Sequence, residues 1–462
     1  MSRSSPLWKE LLVSLLIIAV VSSLLLPCIP GAGGECLSHD AVHAYSWGIE
    51  KEVVSNWHSS LFIYECIALK RIVCILLGRI ICGIDVLRIV WGCLTLVMLI
   101  SMIVLGRRLA QQSWVWLLAF PCCVYLVLNS TLSHLYPVGL DYYFMCLLWP
   151  MLAALVEYCN SGTKRKRLAW LVIVMIVLLH LVSYRKNAAL FVPVLMAFLL
   201  YSAERFRMLS WGKKLITWCA SVVMVLLVAF SGTDVILPVK KGHPLMPMME
   251  SDVRIASILR GELDEFRKQG FISITGEKAE RSITAFWYGG SKAKAEWKAY
   301  RDIYVEEWKS HPETMMAAAI IQRIQFYCGG HSFSFLKEAV ESRYPIVKHN
   351  PKAWEICVPQ VHDSPSWRLL WICMAPLHAL LVYALWSKKR LSSTVCIICV
   401  GAAVMAVLYA CSYMIVVPTP DARYLAPSYM LALVAASVLV GALVEEFVRM
   451  CAQKEDSLRS ML

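Results

Sequence analysis

Apolar residues fall into ten long runs divided by polar breaks: 11–27, 86–105, 113–129, 141–158, 168–184, 188–203, 214–231, 367–386, 394–416 and 424–446. Each is close to the roughly 20 residues that an α-helix needs to cross a bilayer core. The pattern predicts about ten transmembrane helices. A further run, 60–82, contains Glu65, Lys70, Arg71 and Arg79. Charges inside lipid are expensive, so this segment is expected to lie along the membrane surface as an amphipathic helix. Four residues, Tyr184-Arg185-Lys186-Asn187, interrupt the stretch from Leu168 to Tyr201. That stretch is too long for one span, so the four residues are expected to form a tight turn between two.

Composition agrees with this reading. Apolar residues make up 59% of the 462, charged residues only 17%, and mean hydropathy is +0.61. Soluble domains carry about a quarter charged residues. The net charge of +13 is read as membrane topology rather than nucleic-acid binding, because Lys and Arg cluster between apolar runs. No Gly-rich phosphate loop, Cys-pair zinc pattern or heptad seam appears. Nor does an internal repeat of the kind from which many transporters are built. The 18 cysteines lie mostly inside apolar runs, where they pack as small hydrophobes. Cys328 and Cys357 lie in polar sequence and could pair in an oxidising compartment.

Orientation follows from four basic clusters: Arg107-Arg108, Lys164 to Arg167, Arg205 to Lys214, and Lys388-Lys389-Arg390. With 60–82 on the surface, all four fall on the cytoplasmic side, as the positive-inside rule requires. The N-terminal run, preceded by Arg3 and Lys9, resembles a signal peptide but is expected to stay as an uncleaved first span. Both chain ends are then cytoplasmic. The loop 28–59, the turn at Arg185 and the segment 232–366 are external.

The expected fold is an all-α polytopic membrane protein. Residues 1–231 form a membrane domain of seven spans with the juxtamembrane helix 60–82. Residues 232–366 form a mainly helical external, periplasmic domain, and 367–462 a second membrane domain of three spans with a cytoplasmic tail. Within the external segment, Val253, Ile255, Ile258, Leu259 and Leu263 make a helical stripe, as do Trp297, Tyr300, Tyr304 and Trp308. Ser310-His311-Pro312-Glu313 reads as a helix start and Gly329-Gly330 as its end.

Several polar residues gather at the external face. Asp40 follows the first span, within His39-Asp40-Ala41-Val42-His43. A carboxylate there could take a proton from an acceptor or hold a metal. Asp141 opens the fourth span, where capping and the helix dipole would account for it. Arg185 and Lys186 stand on the side that the positive-inside rule disfavours, which headgroup contact or an anion site would explain. Arg423, beside Tyr424, is a third external cation, and a salt bridge to Asp421 or Asp141 would explain it. Arg is the usual bidentate partner of phosphate. A lipid-linked phosphate would place its phosphate at this height.

Three segments resemble the GT-C superfamily of membrane glycosyltransferases, nearest to bacterial enzymes related to the aminoarabinose and protein O-mannosyl transferases. They are the acid after span one (Asp40), the Trp-containing segment Asn56-Trp57-His58-Ser59-Ser60-Leu61-Phe62, and Arg423-Tyr424-Leu425-Ala426-Pro427. The Tyr-Arg-Lys-Asn turn is similar to an Arg/Asn turn of some bacterial members. The sequence departs from the family where Ala41 follows Asp40 and where Ser59 and Ser60 replace prolines. The resemblance implies transfer of a sugar from a polyprenyl-phosphate donor to a lipid, glycan or protein acceptor on the outer face of a bacterial inner membrane. It implies Asp40 as base or acceptor-orienting acid, with a divalent metal if one is used, and Asp141 as a second acid. Arg185, Lys186, Asn187, Arg423 and Tyr424 would hold the phosphate, with His39, Trp57 and His58 beside them. A polysaccharide polymerase or ligase would share these features. A non-enzymatic transporter would need polar residues at mid-bilayer depth. The main ones are His180 and His378, both expected to pack or bond locally. An assembly protein of cell-envelope glycans would need none of Asp40, Arg185 and Arg423.

Overall fold

The protein's structure, a computed structural model, describes residues 7–26, 47–52, 60–132, 139–201, 204–234, 246–262, 291–328, 365–415 and 424–461. These are helical or in short connections, with no strands among the described residues. The fold is all-α, as the run pattern predicts. Eight helices are long and apolar enough to cross a membrane. They are α1 (Leu7–Leu25), α4 (Gly83–Ala110), α6 (Leu140–Asn160), α7 (Lys164–Tyr184), α10 (Trp211–Asp234), α14 (Pro365–Ser387), α15 (Ser393–Ile415) and α16 (Ala426–Met461). Two shorter apolar helices complete the predicted set. These are α5 (Trp116–Leu132) and α8 (Phe191–Tyr201), the latter preceded by a 3-10 turn at Lys186–Leu190. At 1.5 Å per residue, α5 is about 25 Å long, close to the thickness of a hydrocarbon core. The chain is therefore a multi-pass membrane protein.

Helix α6 is the centre. Every side chain from Leu140 to Tyr158 is buried, and a helix apolar all round belongs inside a bundle. It carries an acid near each end. Glu157 accepts two bonds from Arg108 of α4, with Nη2 to Oε2 at 2.6 Å. Asp141 pairs with Arg185 at the other end. These pairs label the two ends of the bundle. At the Arg108 end, Glu10 of α1 accepts from Arg107 at 2.6 Å and from Gln111 at 2.8 Å. The Trp116 indole N–H donates to Glu445 at 2.8 Å, and Arg390 to Glu446 at 3.0 Å. Glu10 at the start of α1 meets Arg107 at the end of α4, and Asp141 at the start of α6 meets Arg185 at the end of α7, so each of these two helix pairs runs antiparallel.

Small residues let these helices approach, as in membrane bundles generally. At Gly441 a Cβ would lie 2.5 Å from the Trp116 ring. Gly441→Leu is therefore expected to push the indole off Glu445 and to cost about 1–3 kcal/mol from overpacking. The unfolding midpoint in detergent measures the loss, and Trp116→Ala in the same chain should recover part of it.

The predicted surface helix is α3 (Ser60–Leu77), preceded by the short α2 (Trp47–Lys51). Its charged residues keep it out of the eight candidate spans. Phe62, Ile63, Cys66 and Ile67 are buried against the bundle, while Ile72, Ile75, Leu76 and Leu77 are exposed. Beyond the short α9 (Glu204–Arg207) and α10, three further helices form their own small core. They are α11 (Met246–Arg260), α12 (Ser291–Ser310) and α13 (Pro312–Cys328). Pro312 opens α13, as its sequence predicts, because the first turn has no use for its missing N–H. Val253, Ala256, Met315 and Ala318 pack together. Arg260 clamps the three, donating to Glu307 at 2.7 Å and to Thr314 at 2.9 Å.

Asp252 lies in this unit, fully buried. Burial pushes its carboxyl up to about 6, although Arg323 and the Tyr304 hydroxyl pull the other way. A carboxyl that holds its proton more tightly when folded favours the folded state at low pH. That contribution fades as pH rises from the ordinary carboxylate range through about 6. The difference is on the order of 3 kcal/mol. Asp252→Asn is expected to raise stability at pH 7 relative to wild type more than at pH 4.5. Thermal midpoints of both proteins at the two pH values measure this, and an equal difference at both would contradict it.

Candidate functional site

Helix α7 ends at Tyr184, and Arg185 adopts an extended backbone with its N–H bonded to Leu181 O at 2.9 Å. Its own carbonyl accepts from Ala188 at 2.9 Å, which opens the 3-10 turn at Lys186–Leu190. The predicted turn thus exists, and it directs Arg185 into the bundle. Nη2 of Arg185 pairs with Asp141 Oδ1. The guanidinium carbon sits 5.2 Å from the centroid of the Tyr424 ring, a cation–π arrangement. The Nε is buried and makes no hydrogen bond. The Arg185 side chain is only 22% exposed and that of Asp141 10%.

Tyrosines of α15 close the surroundings. Tyr413 donates to the Tyr409 hydroxyl at 3.2 Å. The Tyr413 ring stands 6.0 Å from that of Tyr424, and Tyr409 stacks on Phe144 at 5.2 Å. A guanidinium in such a place keeps its charge because Asp141 offsets the desolvation. The arrangement fixes one cation at this end of the bundle, charge-matched by Asp141, with one buried N–H that makes no hydrogen bond.

Next to this lies a second polar cluster. Glu65 of α3 accepts from the Tyr184 hydroxyl at 3.0 Å and bonds His180 Nε2 at 2.8 Å. His180 Nδ1 faces the Ile176 carbonyl at 2.8 Å. A carbonyl only accepts, so Nδ1 carries a proton. The contact between His180 Nε2 and Glu65 is a side-chain hydrogen bond between α7 and α3. The Phe62 ring sits between Tyr143 and Tyr184, 5.3 and 5.2 Å away. This cluster fastens α3 to α7 beside Arg185. His180 bonds locally as expected, with the addition of Glu65. His378 is buried with its ring 6.1 Å from that of Trp371.

Of the predicted site residues, Asp141, Arg185 and Tyr424 come together. Gly139 is the N-cap of α6. Asp141 sits in the first turn of α6, where the helix dipole favours an acid. Its partner is Arg185. Lys186 is exposed and Asn187 half-buried, each in the 3-10 turn. His39, Asp40, Trp57, His58 and Arg423 lie outside the described residues, as does Cys357. Among the described residues no group of three or more His, Cys, Asp or Glu side chains could hold a metal ion. Asp40, the expected metal position, is not one of those residues. Glu65, Tyr409 and Tyr413 escaped the sequence reading. The spacing of the two tyrosines by four residues near the end of an apolar run was the available signal.

No family model, curated protein or solved structure matches the chain.

Proposed function

We propose that the protein is a GT-C-type membrane glycosyltransferase that moves a sugar from a polyprenyl-phosphate donor to an envelope acceptor at the membrane face carrying Arg185. The observation that carries this reading is the caged Arg185, a cation half-withdrawn from solvent at one end of a bundle, paired to Asp141 and seated on Tyr424. The basic clusters support the orientation. Arg107, Arg108, Lys164 to Arg167 and Lys388 to Arg390 sit at the opposite end, so by the positive-inside rule the Arg185 end is the outer one. The N-terminus and C-terminus are then cytoplasmic, in the inner membrane of a bacterium.

In this reaction the bond between the sugar's anomeric carbon and the phosphate oxygen breaks. A bond from an acceptor oxygen or nitrogen to that carbon forms. Asp40 takes the acceptor's proton, and the phosphate leaves with the bonding electrons. Fixed positive charge at the departing oxygen lowers the barrier. Arg185 supplies it, and Arg423 from the adjoining segment adds to it. A divalent metal, where used, would be held by Asp40 and supply further charge. The polyprenyl tail stays in the bilayer, which sets the phosphate at the depth of the Arg185 turn. The test is release of polyprenyl phosphate by the purified full chain, given a panel of polyprenyl-phosphate sugars with candidate acceptors. Release above the no-acceptor background is expected. Binding of the donors without any release would overturn the activity.

A further inference from the structure

The polar-faced helices meet the Arg185 surroundings through the last two turns of α13. Arg323 Nε donates to the Met414 carbonyl at 3.0 Å. The Tyr327 hydroxyl donates to the Ala410 carbonyl at 2.6 Å. Between them, the Phe326 ring lies 4.9 Å from that of Tyr413. Met414 is the penultimate residue of α15. Its carbonyl is one of the last four of the helix, which lack partners within it. The negative end of the helix dipole also favours a cation there. Arg323 therefore caps α15. On its other side it stands 3.9 Å from the buried Asp252 of α11.

The residue held between these two bonds is Tyr413, which faces Tyr424 at 6.0 Å. Arg185 lies on Tyr424 at 5.2 Å. A continuous chain of contacts thus runs from the α11–α13 unit to the guanidinium. We infer that Arg323, Phe326 and Tyr327 are positioning residues that set the last turn of α15, and through Tyr413 and Tyr424 the placement of Arg185. The α11–α13 unit then controls the anion site instead of merely standing over it. This deepens the proposed function and rests on it for the identity of the ligand, though not for the coupling.

The junction also carries an unsatisfied group. Gln322 follows Met315 and Ala318 on the inner stripe of α13, one turn before Phe326, and is 1% exposed. Neither end of its carboxamide is hydrogen-bonded. Buried polar groups left so are costly, and they mark a contact that is not optimised for permanence. Such a contact can shift when a ligand or acceptor engages the unit. Gln322→Leu is expected to tighten it.

Hydrogen exchange on the full chain in detergent, with no ligand, tests the coupling. Arg323→Gln with Phe326→Leu should speed exchange of the amides at 409–415 at least about 10-fold, with those at 395–404 unchanged. Phe326→Tyr, which keeps the ring, should match wild type. Gln322→Leu should slow exchange at 409–415. With undecaprenyl phosphate as probe, the double variant should bind at least about 5-fold more weakly at an unchanged global melting temperature. Exchange at 409–415 within 2-fold of wild type overturns the inference. So does faster exchange there with unaltered undecaprenyl-phosphate affinity in a protein that binds it. If the double variant loosens throughout, Tyr327→Phe decides instead, because it removes only the bond to the Ala410 carbonyl. Faster exchange at 409–415 in that variant supports the docking, and exchange within 2-fold of wild type overturns it. A wild-type protein that does not bind undecaprenyl phosphate would refute the phosphate reading alone. The exchange result would still decide the coupling.

Discussion

Asp141→Ala is expected to destabilise the protein by about 3–5 kcal/mol, because it leaves the Arg185 charge withdrawn from water without its counter-ion. The partners are 10% and 22% exposed, respectively, so solvent screens them little. The ring of Tyr424 softens the loss but does not replace a carboxylate, since a cation–π contact is worth about 0.5–2 kcal/mol. The consequence is asymmetric. Arg185→Leu in the same chain removes the stranded charge, and the double variant should recover most of the stability. Unfolding midpoints of the two single variants and the double in detergent give the coupling directly. Additive losses would mean that Asp141 and Arg185 do not depend on each other.

The second large effect is on turnover. Asp40→Asn keeps the shape and polarity of the side chain but removes its ability to take a proton. General-base contributions are about 10²–10⁴-fold, so release of polyprenyl phosphate should fall by that much. Binding of the donor should be retained, because the proposed phosphate contacts are those of Arg185 and its neighbours. Turnover within a few-fold of wild type would remove Asp40 from the reaction. Loss of donor binding in step with turnover would make it a binding residue instead.

Much of the architecture was legible because it is local. Ten apolar runs become eight long helices and two short ones, since length and hydropathy alone decide whether a segment can cross lipid. The charges of 60–82 keep α3 out of the eight helices long and apolar enough to cross a membrane. Pro312 marked the start of α13. The turn at Arg185 was legible from the excess length of the stretch around it. The partner of Arg185 was not. Asp141 lies 44 residues away, and nothing in local periodicity says which of several external cations an acid at a helix start will meet. Asp141 was expected at the start of α6, near the helix dipole, and Arg423, expected to pair with Asp421 or Asp141, lies outside the described residues. Antiparallel packing of α6 on α7 brings Arg185 to Asp141. Tyr409 and Tyr413 were hidden for a different reason. A tyrosine inside an apolar run counts toward the span, and its hydroxyl matters only once the helix end is placed beside a cation. The docking of Phe326 on Tyr413 joins two segments 87 residues apart, and only the three-dimensional arrangement reveals it.

The central claim is that Arg185 holds a phosphate at the outer membrane face. Arg185→Gln combined with Asp141→Asn tests it most directly, because both charges are removed while Asn keeps the shape of Asp and Gln keeps an N–H donor. Affinity for a polyprenyl phosphate is measured on wild type and this double variant, with melting temperature as the check on folding. Charge-assisted hydrogen bonds contribute about 1.5–3 kcal/mol, so affinity should fall roughly 10- to 150-fold. Equal affinity in a folded double variant would contradict the claim and leave Arg185 as an ion-pair partner that fastens α7 to α6.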